Sequence, residues 1–447
     1  MIYRFKTIRV FMSHLFFAWA WLYSAQAESE ISADETAPLL LTLESALARL
    51  NAQNPALLFE RESVQRALAD RYQVRAELLP QISVTGQQTR QRLGSSYMVA
   101  PGQGNPSSSF RTRIELKQVL FDGVKISRFG ASGIAHRVAS QDYKILQQDL
   151  LQLVQQLYYS QLRDQQRIDL LKRNIERYQQ LLELAQSQYE AGATTVLDVT
   201  RAQVRLATQR RTLMQAGTQA QDSLLQLKSL LDIGLERALQ IDRSGFLKLM
   251  SGNFLDLKPD SLASALQRPE LIKQQQSLAQ SKITQRASAW KRLPTVEAFG
   301  DWGYDSDEGF DQQQGEAWLL GIRASIPIFD GGRIAAEQRE ARAAVRQKQH
   351  RLRQVENELQ REFHFARIDL ASRYAQIEIA GDEMSLGAAE VIQAEQRYRA
   401  GAADNRALID ARQALADAEE SHLEAVYAYA LSRIAFARAT GNVARDY

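Results

Sequence analysis

Cysteine is absent from the 447 residues, and proline is scarce, with only nine. The first absence excludes disulfides, thiolate metal sites, cysteine nucleophiles and a lipid anchor attached through cysteine. The second favours long uninterrupted helices, as does the abundance of glutamine, leucine, alanine, arginine and glutamate. Beyond the N-terminus no segment reaches 18 uninterrupted apolar residues, so a membrane-spanning helix is not expected.

Histidine is also sparse, and its surroundings lack the groups that catalysis needs. The five histidines are isolated along the chain: His14, His136, His350, His364 and His422. The motifs of zinc metalloproteases, serine hydrolases and phosphate-binding loops do not occur. We therefore expect no enzyme, no metal site and no cofactor, and we interpret neighbouring acids and bases as helix-surface pairs.

Residues 1–27 have the three parts of a secretory signal peptide. Three basic residues precede an apolar stretch, and the small residues Ala25 and Ala27 supply a cleavage site. A retained N-terminal anchor is the alternative. Cleavage removes three of the 55 basic residues and no acid, which leaves 52 of each sign. A neutral mature chain without a dense basic block does not predict nucleic-acid binding.

The rest of the chain contains one series of landmarks twice. Each landmark recurs 208 to 214 residues later, in the same order. The pairs are Asn54-Pro55 with Arg268-Pro269, Leu79-Pro80 with Leu293-Pro294, Leu120-Phe121-Asp122-Gly123 with Ile328-Phe329-Asp330-Gly331, and Tyr189 to Ala193 with Tyr398 to Ala402. We interpret this as two tandem structural repeats, 28–232 and 261–447, joined by a connector at 233–260. Coincidental glycine and proline punctuation is the alternative.

Both repeats have the same predicted plan. The segments, for repeats 1 and 2 in turn, are a short helix (43–78; 261–292), a β-hairpin (81–121; 295–329) and a long helical hairpin (124–232; 332–440). Apolar residues from Ile168 to Tyr189 recur in steps of three and four, which predicts the seam of an antiparallel coiled coil. A proline-free stretch of this length forms a rod of roughly 100 Å. Gly192 and Gly401 are predicted to close the hairpin tips with a left-handed turn.

The four predicted strands have about the 9–11 residues that a tilted strand needs to cross a bilayer. Aromatic residues stand at both ends of the second hairpin: Trp302, Tyr304 and Trp318 at one end, and Phe329 at the other. They suit the two water–lipid interfaces, although soluble hairpins carry such residues too. Four strands leave open edges that lipid does not tolerate, so neighbouring chains must close the sheet. Two chains give about 8 strands and three give about 12, and the larger ring leaves a wide lumen.

These landmarks resemble those of TolC-like outer-membrane efflux proteins over nearly the whole mature chain. The similar motifs are Val119 to Gly123, Ile326 to Gly332, Gln188 to Gly192 with Asp198 and Ala202, and Arg397 to Gly401 with Leu408, Asp410 and Ala411. The resemblance implies a mainly α-helical chain with a membrane β-barrel portion, assembled as a homotrimer with a 12-stranded barrel and an α-helical tunnel. It also implies a location in the outer membrane and periplasm, contact with outer-membrane lipid, and a periplasmic adaptor and inner-membrane pump as partners.

The resemblance further indicates a gate at the periplasmic helix tips. Its candidate residues are Asp198, Tyr398 and Asp410, with Asp404 expected to supply charge nearby. Ala403 and Ala407 depart from the family pattern, which often has a cation and a second acid there. Three carboxylates that converge on one axis repel each other and attract cations. The alternative is that these acids cap the returning helices.

Two short motifs stand where a strand is predicted to become a helix. They are Phe121-Asp122-Gly123 and Phe329-Asp330-Gly331-Gly332. Aspartate suits a helix N-cap, and glycine allows the change of direction. We predict a structural role for both motifs, with each phenylalanine an anchor at the periplasmic interface.

The predicted function is a passive outer-membrane conduit of a tripartite efflux or type I secretion system. The alternative is a non-conducting periplasmic coiled-coil protein, such as an adaptor. An adaptor is expected to have one helical hairpin between lipoyl-like β segments, whereas this sequence predicts two hairpins, each preceded by a strand pair. The sequence leaves the cargo open among drugs, metals, other small molecules and proteins.

Overall fold

The computed structural model describes residues 39–92, 107–250, 262–306, 315–400, 402 and 405–443. The predicted signal peptide, residues 251–260 of the predicted connector, Gly401 and Asp404 lie outside them. The helices of the described residues are α1 (Leu43–Gln53), α2 (Pro55–Ala76), α3 (Gly123–Glu190), α4 (Val196–Leu230), α5 (Ser244–Met250), α6 (Leu262–Ala265), α7 (Pro269–Trp290), α8 (Arg333–Arg399) and α9 (Asn405–Thr440). The strands are β1 (Leu39–Leu41), β2 (Gln81–Gln91), β3 (Ser107–Phe121), β4 (Leu239–Ile241), β5 (Thr295–Ser306) and β6 (Gly315–Ser325).

Four long strands form one antiparallel sheet in the order β2-β3-β5-β6. The two hairpins are joined side by side through β3 and β5, where Ile114 pairs with Trp302. The ladder shifts between Val119 and Phe121, near the end of β3. The four long strands predicted for each chain are therefore confirmed among the described residues, which also include the two short strands β1 and β4. Strands β2 and β6 are the two edges of this sheet.

The second hairpin is shorter than its predicted range of 295–329, because β6 ends at Ser325. Pro327 follows, and proline cannot donate a backbone hydrogen bond to a strand ladder. Phe329 therefore lies beyond the sheet, with 90% of its surface exposed.

The short helix of repeat 1 is broken, whereas we predicted a continuous helix over 43–78. Asn54 adopts an extended conformation between α1 and α2, as expected for a residue that precedes proline. Its side chain caps α2 by accepting a hydrogen bond from the Leu57 backbone N–H at 3.1 Å. Repeat 2 breaks in the same way, because the extended Arg268 separates α6 from α7.

Two pairs of long helices extend away from the sheet and end in the two hairpin tips. Helix α3 has 68 residues and α8 has 67, so each is roughly 100 Å long. Helices α4 and α9 return along them, which confirms the predicted long antiparallel hairpins. Helix α3 also contacts α9, so the row runs α4, α3, α9, α8. Helices α4 and α8 are thus the two edges of this row.

The largest hydrophobic core lies midway along the rods, where the N-terminal region packs on α3 and α9. Strands β1 and β4 pair in parallel there, with Leu41 opposite Ile241. Tyr158 and Val426 belong to the same buried cluster. Within the described residues, no helix combines the length and the apolar character needed to cross a bilayer.

Candidate functional site

The sheet has one apolar and one charged face. Alternate residues of each strand point to the same side, and the apolar side aligns Val84 with Ile114, Trp302 and Trp318 across all four strands. The adjacent row contains Ile82, Leu116, Gly300 and Leu320. Leu320 and Trp318 are each 72% exposed. A continuous apolar band therefore faces outward from the sheet without cover from the described chain.

Charged side chains occupy the opposite face and pair across the strands. Arg113 on β3 contacts Asp301 at 3.2 Å and also pairs with Asp305, both on β5. Arg323 on β6 pairs with Glu297 on β5 at 3.1 Å. These cross-strand pairs fix the sheet and present polar groups to water. The sheet is consequently built to separate an apolar medium from an aqueous one.

Aromatic residues mark the loop end of the apolar face. The Trp302 and Tyr304 rings meet edge to face, with centroids 5.4 Å apart. The Trp302 indole N–H donates to the Glu316 carboxylate at 2.8 Å. An apolar ring with a polar partner suits a water–lipid boundary. All four connections between the sheet and the helices leave from the other end of the sheet.

Both strand-to-helix motifs cap a long helix. The Asp122 carboxylate accepts hydrogen bonds from the Val124 and Lys125 backbone N–H groups, at 2.9 and 3.1 Å. Asp330 accepts from Ile334 at 2.8 Å and from Gly332 at 3.1 Å. The Ile334 hydrogen bond is the main reason that the pKa of Asp330 is lowered. Phe121 ends β3 directly before the first cap.

Glycine has a different use in each of these motifs. Gly331 and Gly332 have φ of 67° and 87°, a region that side chains disfavour. Gly123 has no such conformation, but a Cβ atom there would lie 2.6 Å from the Trp290 ring. It therefore lets α3 approach the end of α7 closely.

The tip of the first hairpin is closed by Gly192, with φ of 73°, and by capping of α4. The Asp198 carboxylate accepts hydrogen bonds from the Thr194 and Thr195 hydroxyls at 2.6 and 3.0 Å. Arg201 also pairs with it at 3.3 Å. The Thr194 hydrogen bond is the main reason that the pKa of Asp198 is lowered, against the opposing effect of burial. Asp198 therefore has the contacts of a residue that caps the returning helix α4, which is the alternative to a role in the gate.

The tip of the second hairpin holds the other described candidates. Tyr398 is buried, and its hydroxyl has no hydrogen-bond partner among the described residues. Burial, followed by the negative charge of Asp198, raises the pKa of Tyr398. Asp410 is exposed, with its carboxylate 3.7 Å from Arg406. It borders a groove of about 400 Å³ between α4 and α9.

The tips therefore bring Tyr398 and Asp198 together, whereas Asp410 lies exposed on the α4–α9 groove, which Arg201, the ion partner of Asp198, also lines. A buried apolar cluster joins all four long helices directly above the tips: Tyr178, Leu181, Ala202, Leu206, Tyr398, Leu408 and Ile409. Sequence reasoning missed a set of ion pairs between α3 and α9 above this cluster. The charges were visible in the sequence, but their pairing depends on the alignment of two helices that are far apart along the chain.

Comparison with known proteins agrees with this architecture. The outer membrane efflux protein family matches residues 46–232 and 263–442. The pyoverdine export outer membrane protein OpmQ of Pseudomonas aeruginosa is 26% identical over 304 residues, which are 66% of this chain and 63% of OpmQ. The alkaline protease secretion protein AprF of the same species is 26% identical over 72% of this chain and 67% of its own length.

A solved structure extends the likeness to the fold. The outer membrane protein VceC of Vibrio cholerae matches with a TM-score of 0.79 and 15% identity, over 89% of this chain and 96% of VceC. Since the family match covers both repeats, this chain belongs to the outer membrane efflux protein family. The predicted fold class of the chain is thereby confirmed.

Proposed function

We propose that this chain is one subunit of a homotrimeric outer-membrane channel, a passive conduit from the periplasm to the exterior. The two-faced sheet carries this proposal. Its strands have 11 to 15 residues, enough to cross a bilayer when tilted. Its edges β2 and β6 would leave unpaired backbone groups in lipid. Pairing β6 of one copy with β2 of the next removes both edges and keeps the strands antiparallel.

The helical row needs the same closure. Its edge helix α8 has an exposed apolar stripe of Phe365, Ile368 and Leu386, which are 63–70% exposed and lie within about 60° of each other around the helix axis. The other edge, α4, has a stripe of Val196, Val204 and Met214, which are 59–76% exposed and lie within about 80° of each other. Head-to-tail contact between α8 and α4 of successive copies covers both stripes and generates a ring.

A ring of three copies closes both the sheet and the helical row. They bring about 12 strands to the membrane, a number that leaves an open lumen, and they join three four-helix rows into one tunnel wall. The charged face of the sheet then lines the aqueous pore. A periplasmic adaptor is expected to have one helical hairpin between lipoyl-like β segments. This chain has two helical hairpins, each preceded by a strand pair, which supports the conduit over that alternative.

We further propose a gate at the helix tips, with Asp410 as its charged element. Asp410 is exposed beside the α4–α9 groove, and three copies around an axis would attract cations. Tyr398 and Asp198 would hold the tips together, and Asp404 and Gly401 stay in the proposal as neighbours of the same tip. An adaptor and an inner-membrane pump are the proposed partners. The relatives named for pyoverdine export and for alkaline protease secretion support a conduit with little chemical specificity.

Mass measurement in detergent and planar-bilayer recording test the proposal together. The purified protein is expected to contain three copies and to form discrete pores. Asp410→Ala is expected to change single-channel conductance or block by divalent cations, because it removes three carboxylates from the tip. Asp417→Ala, an exposed acid seven residues farther along α9, is the matched control and should leave both unchanged.

The possible failures are distinct. A monomer that forms no pores would overturn the channel. A trimeric pore whose conductance and cation block are the same with Asp410→Ala would exclude Asp410 from the constriction and leave the channel standing.

A further inference from the structure

The two helical hairpins of one chain meet along a seam of ion pairs between α3 and α9. Four ion pairs join these helices: Arg438 with Asp149 at 2.7 Å, Arg163 with Glu424 at 3.7 Å, Arg167 with Glu420 at 2.6 Å, and Arg177 with Glu419 at 2.8 Å. In the three pairs nearer the tips α3 provides the cation and α9 the acid, whereas the roles are reversed in the pair farthest from the tips. The seam thus joins repeat 1 to repeat 2 by charges that match in only one alignment.

The pair nearest the tips has the most constrained geometry. Arg177 donates to both carboxylate oxygens of Glu419, at 2.8 and 3.0 Å, in a bidentate arrangement. The same guanidinium also donates to Asn174 at 2.8 Å. The Glu419 side chain is only 14% exposed. The Arg412 guanidinium donates to the backbone carbonyl of Arg177, so side chains of two α9 residues contact Arg177 at this level.

The contact changes in kind below Arg177. Among the described residues, no ion pair joins α3 to α9 between this level and the tip. Apolar side chains replace the charges, beginning with Tyr178 and Leu181, although the Tyr178 hydroxyl still donates one hydrogen bond to Gln413 of α9 at 3.3 Å. Apolar contacts are non-directional and tolerate sliding, whereas a bidentate ion pair holds one orientation. A boundary between a fixed and an adjustable part of the wall therefore lies at Arg177.

We propose that the Arg177–Glu419 pair is the fixed point that holds the tips closed: it forms in the closed state and breaks when the tips open, so that both are positioning residues for the closed state. The 15 residues from Arg177 to Gly192 correspond to roughly 22 Å of movable helix. The seam above stays closed in both states. This inference rests on the proposed channel function and gives its gate a defined length.

Glu419→Gln tests the fixed point, since it keeps the shape of the side chain and removes its charge. The fraction of time that the pore is open in planar bilayers is expected to rise about fivefold, the effect of losing one partly exposed ion pair. Glu420→Gln is the matched control. It is the same change one residue away, in a pair whose cation lies ten residues farther from the tip, and it should leave the open fraction at the wild-type value.

A double-mutant cycle separates this role from a general loss of stability. If the two residues act as one pair, Arg177→Gln combined with Glu419→Gln should open the pore no more than either change alone. The inference is overturned if a conducting wild-type trimer gives the same open fraction with Glu419→Gln, or if Glu420→Gln opens the pore equally. A wild-type protein without pores would instead overturn the channel itself, and the fixed point with it.

Discussion

Asp198 shows how one carboxylate serves local structure at the hairpin tip. Its oxygens accept hydrogen bonds from Thr194 and Thr195, and they face Arg201. These bonds form only with the folded turn, so its charge and the turn stabilise each other. Among the described residues, Asp410 pairs with Arg406 at a longer distance of 3.7 Å, and both side chains are exposed. The aspartates at the starts of the two returning helices therefore have different surroundings.

Protonation of Asp198 is expected to loosen the first tip. Because its folded pKa is lowered, the carboxylate stabilises the turn at pH values above the ordinary aspartate pKa. This contribution is lost as the pH falls through the lowered pKa. Hydrogen exchange of the 195–201 amides should speed up over that interval, beyond the intrinsic pH dependence of exchange. Asp198→Asn should remove the extra change, whereas Asp410→Asn should retain it; equal behaviour of the two variants would contradict the assignment.

At the scale of elements, the junction between α3 and α7 depends on the absence of one side chain. Gly123→Ala would place a Cβ atom 2.6 Å from the Trp290 ring. Because this distance is too short, either the ring has to shift or the start of α3 has to tilt. We expect a loss of about 1–3 kcal/mol in the free energy of unfolding, as for other overpacked sites. Denaturant titration of the protein in detergent micelles measures it.

Gly217→Ala provides the comparison for that experiment. Gly217 lies inside α4, and a Cβ atom there meets no heavy atom within 4 Å. Alanine in a helix interior is favoured over glycine by roughly 0.5–1 kcal/mol, so stability should rise slightly. Similar losses for both variants would show that the Trp290 contact is not the cause at Gly123.

The sequence predicted the large elements because their signals are repeated many times. A heptad pattern from Ile168 to Tyr189 and two proline-free stretches were enough for the helical hairpins. Single-residue events were harder to predict. The break at Asn54 was missed because the helical pattern resumes directly after Pro55. Strands β1 and β4 have three residues each, too few to show a period, and they form only by pairing with each other.

The candidate tip residues were predictable as a group, but their partners were not. Glycine at the tip and acids just after it are local features of the chain. The match of Arg177 to Glu419 joins residues 242 positions apart, and no local pattern encodes it. The same limit applies to the pairing of β3 with β5, which decides the order of strands in the sheet.

At the scale of the whole molecule, assembly should depend on the exposed stripe of α8. Leu386→Asp would bury a carboxylate without a partner between copies, which costs several kcal/mol in an apolar contact. We expect a loss of at least about tenfold in heat-resistant trimer on a gel. Ser385→Asp adds the same charge about 100° farther around the helix and should leave the trimer intact. A stable Leu386→Asp trimer would contradict the proposed contact.

Two pairings in this fold impose an order on biogenesis. Leu39 of β1 pairs with Leu239 of β4, and Phe110 of β3 pairs with Ser306 of β5. About 200 residues of nascent chain therefore separate each strand from its partner. Bringing such distant segments together is entropically costly and slow. Neither pairing exists until translation has passed into the second repeat. During export, β1 and β3 of the first repeat therefore have backbone groups without their final partners. Any protein that protects these strands from aggregation has to release them only after the second repeat is available to pair.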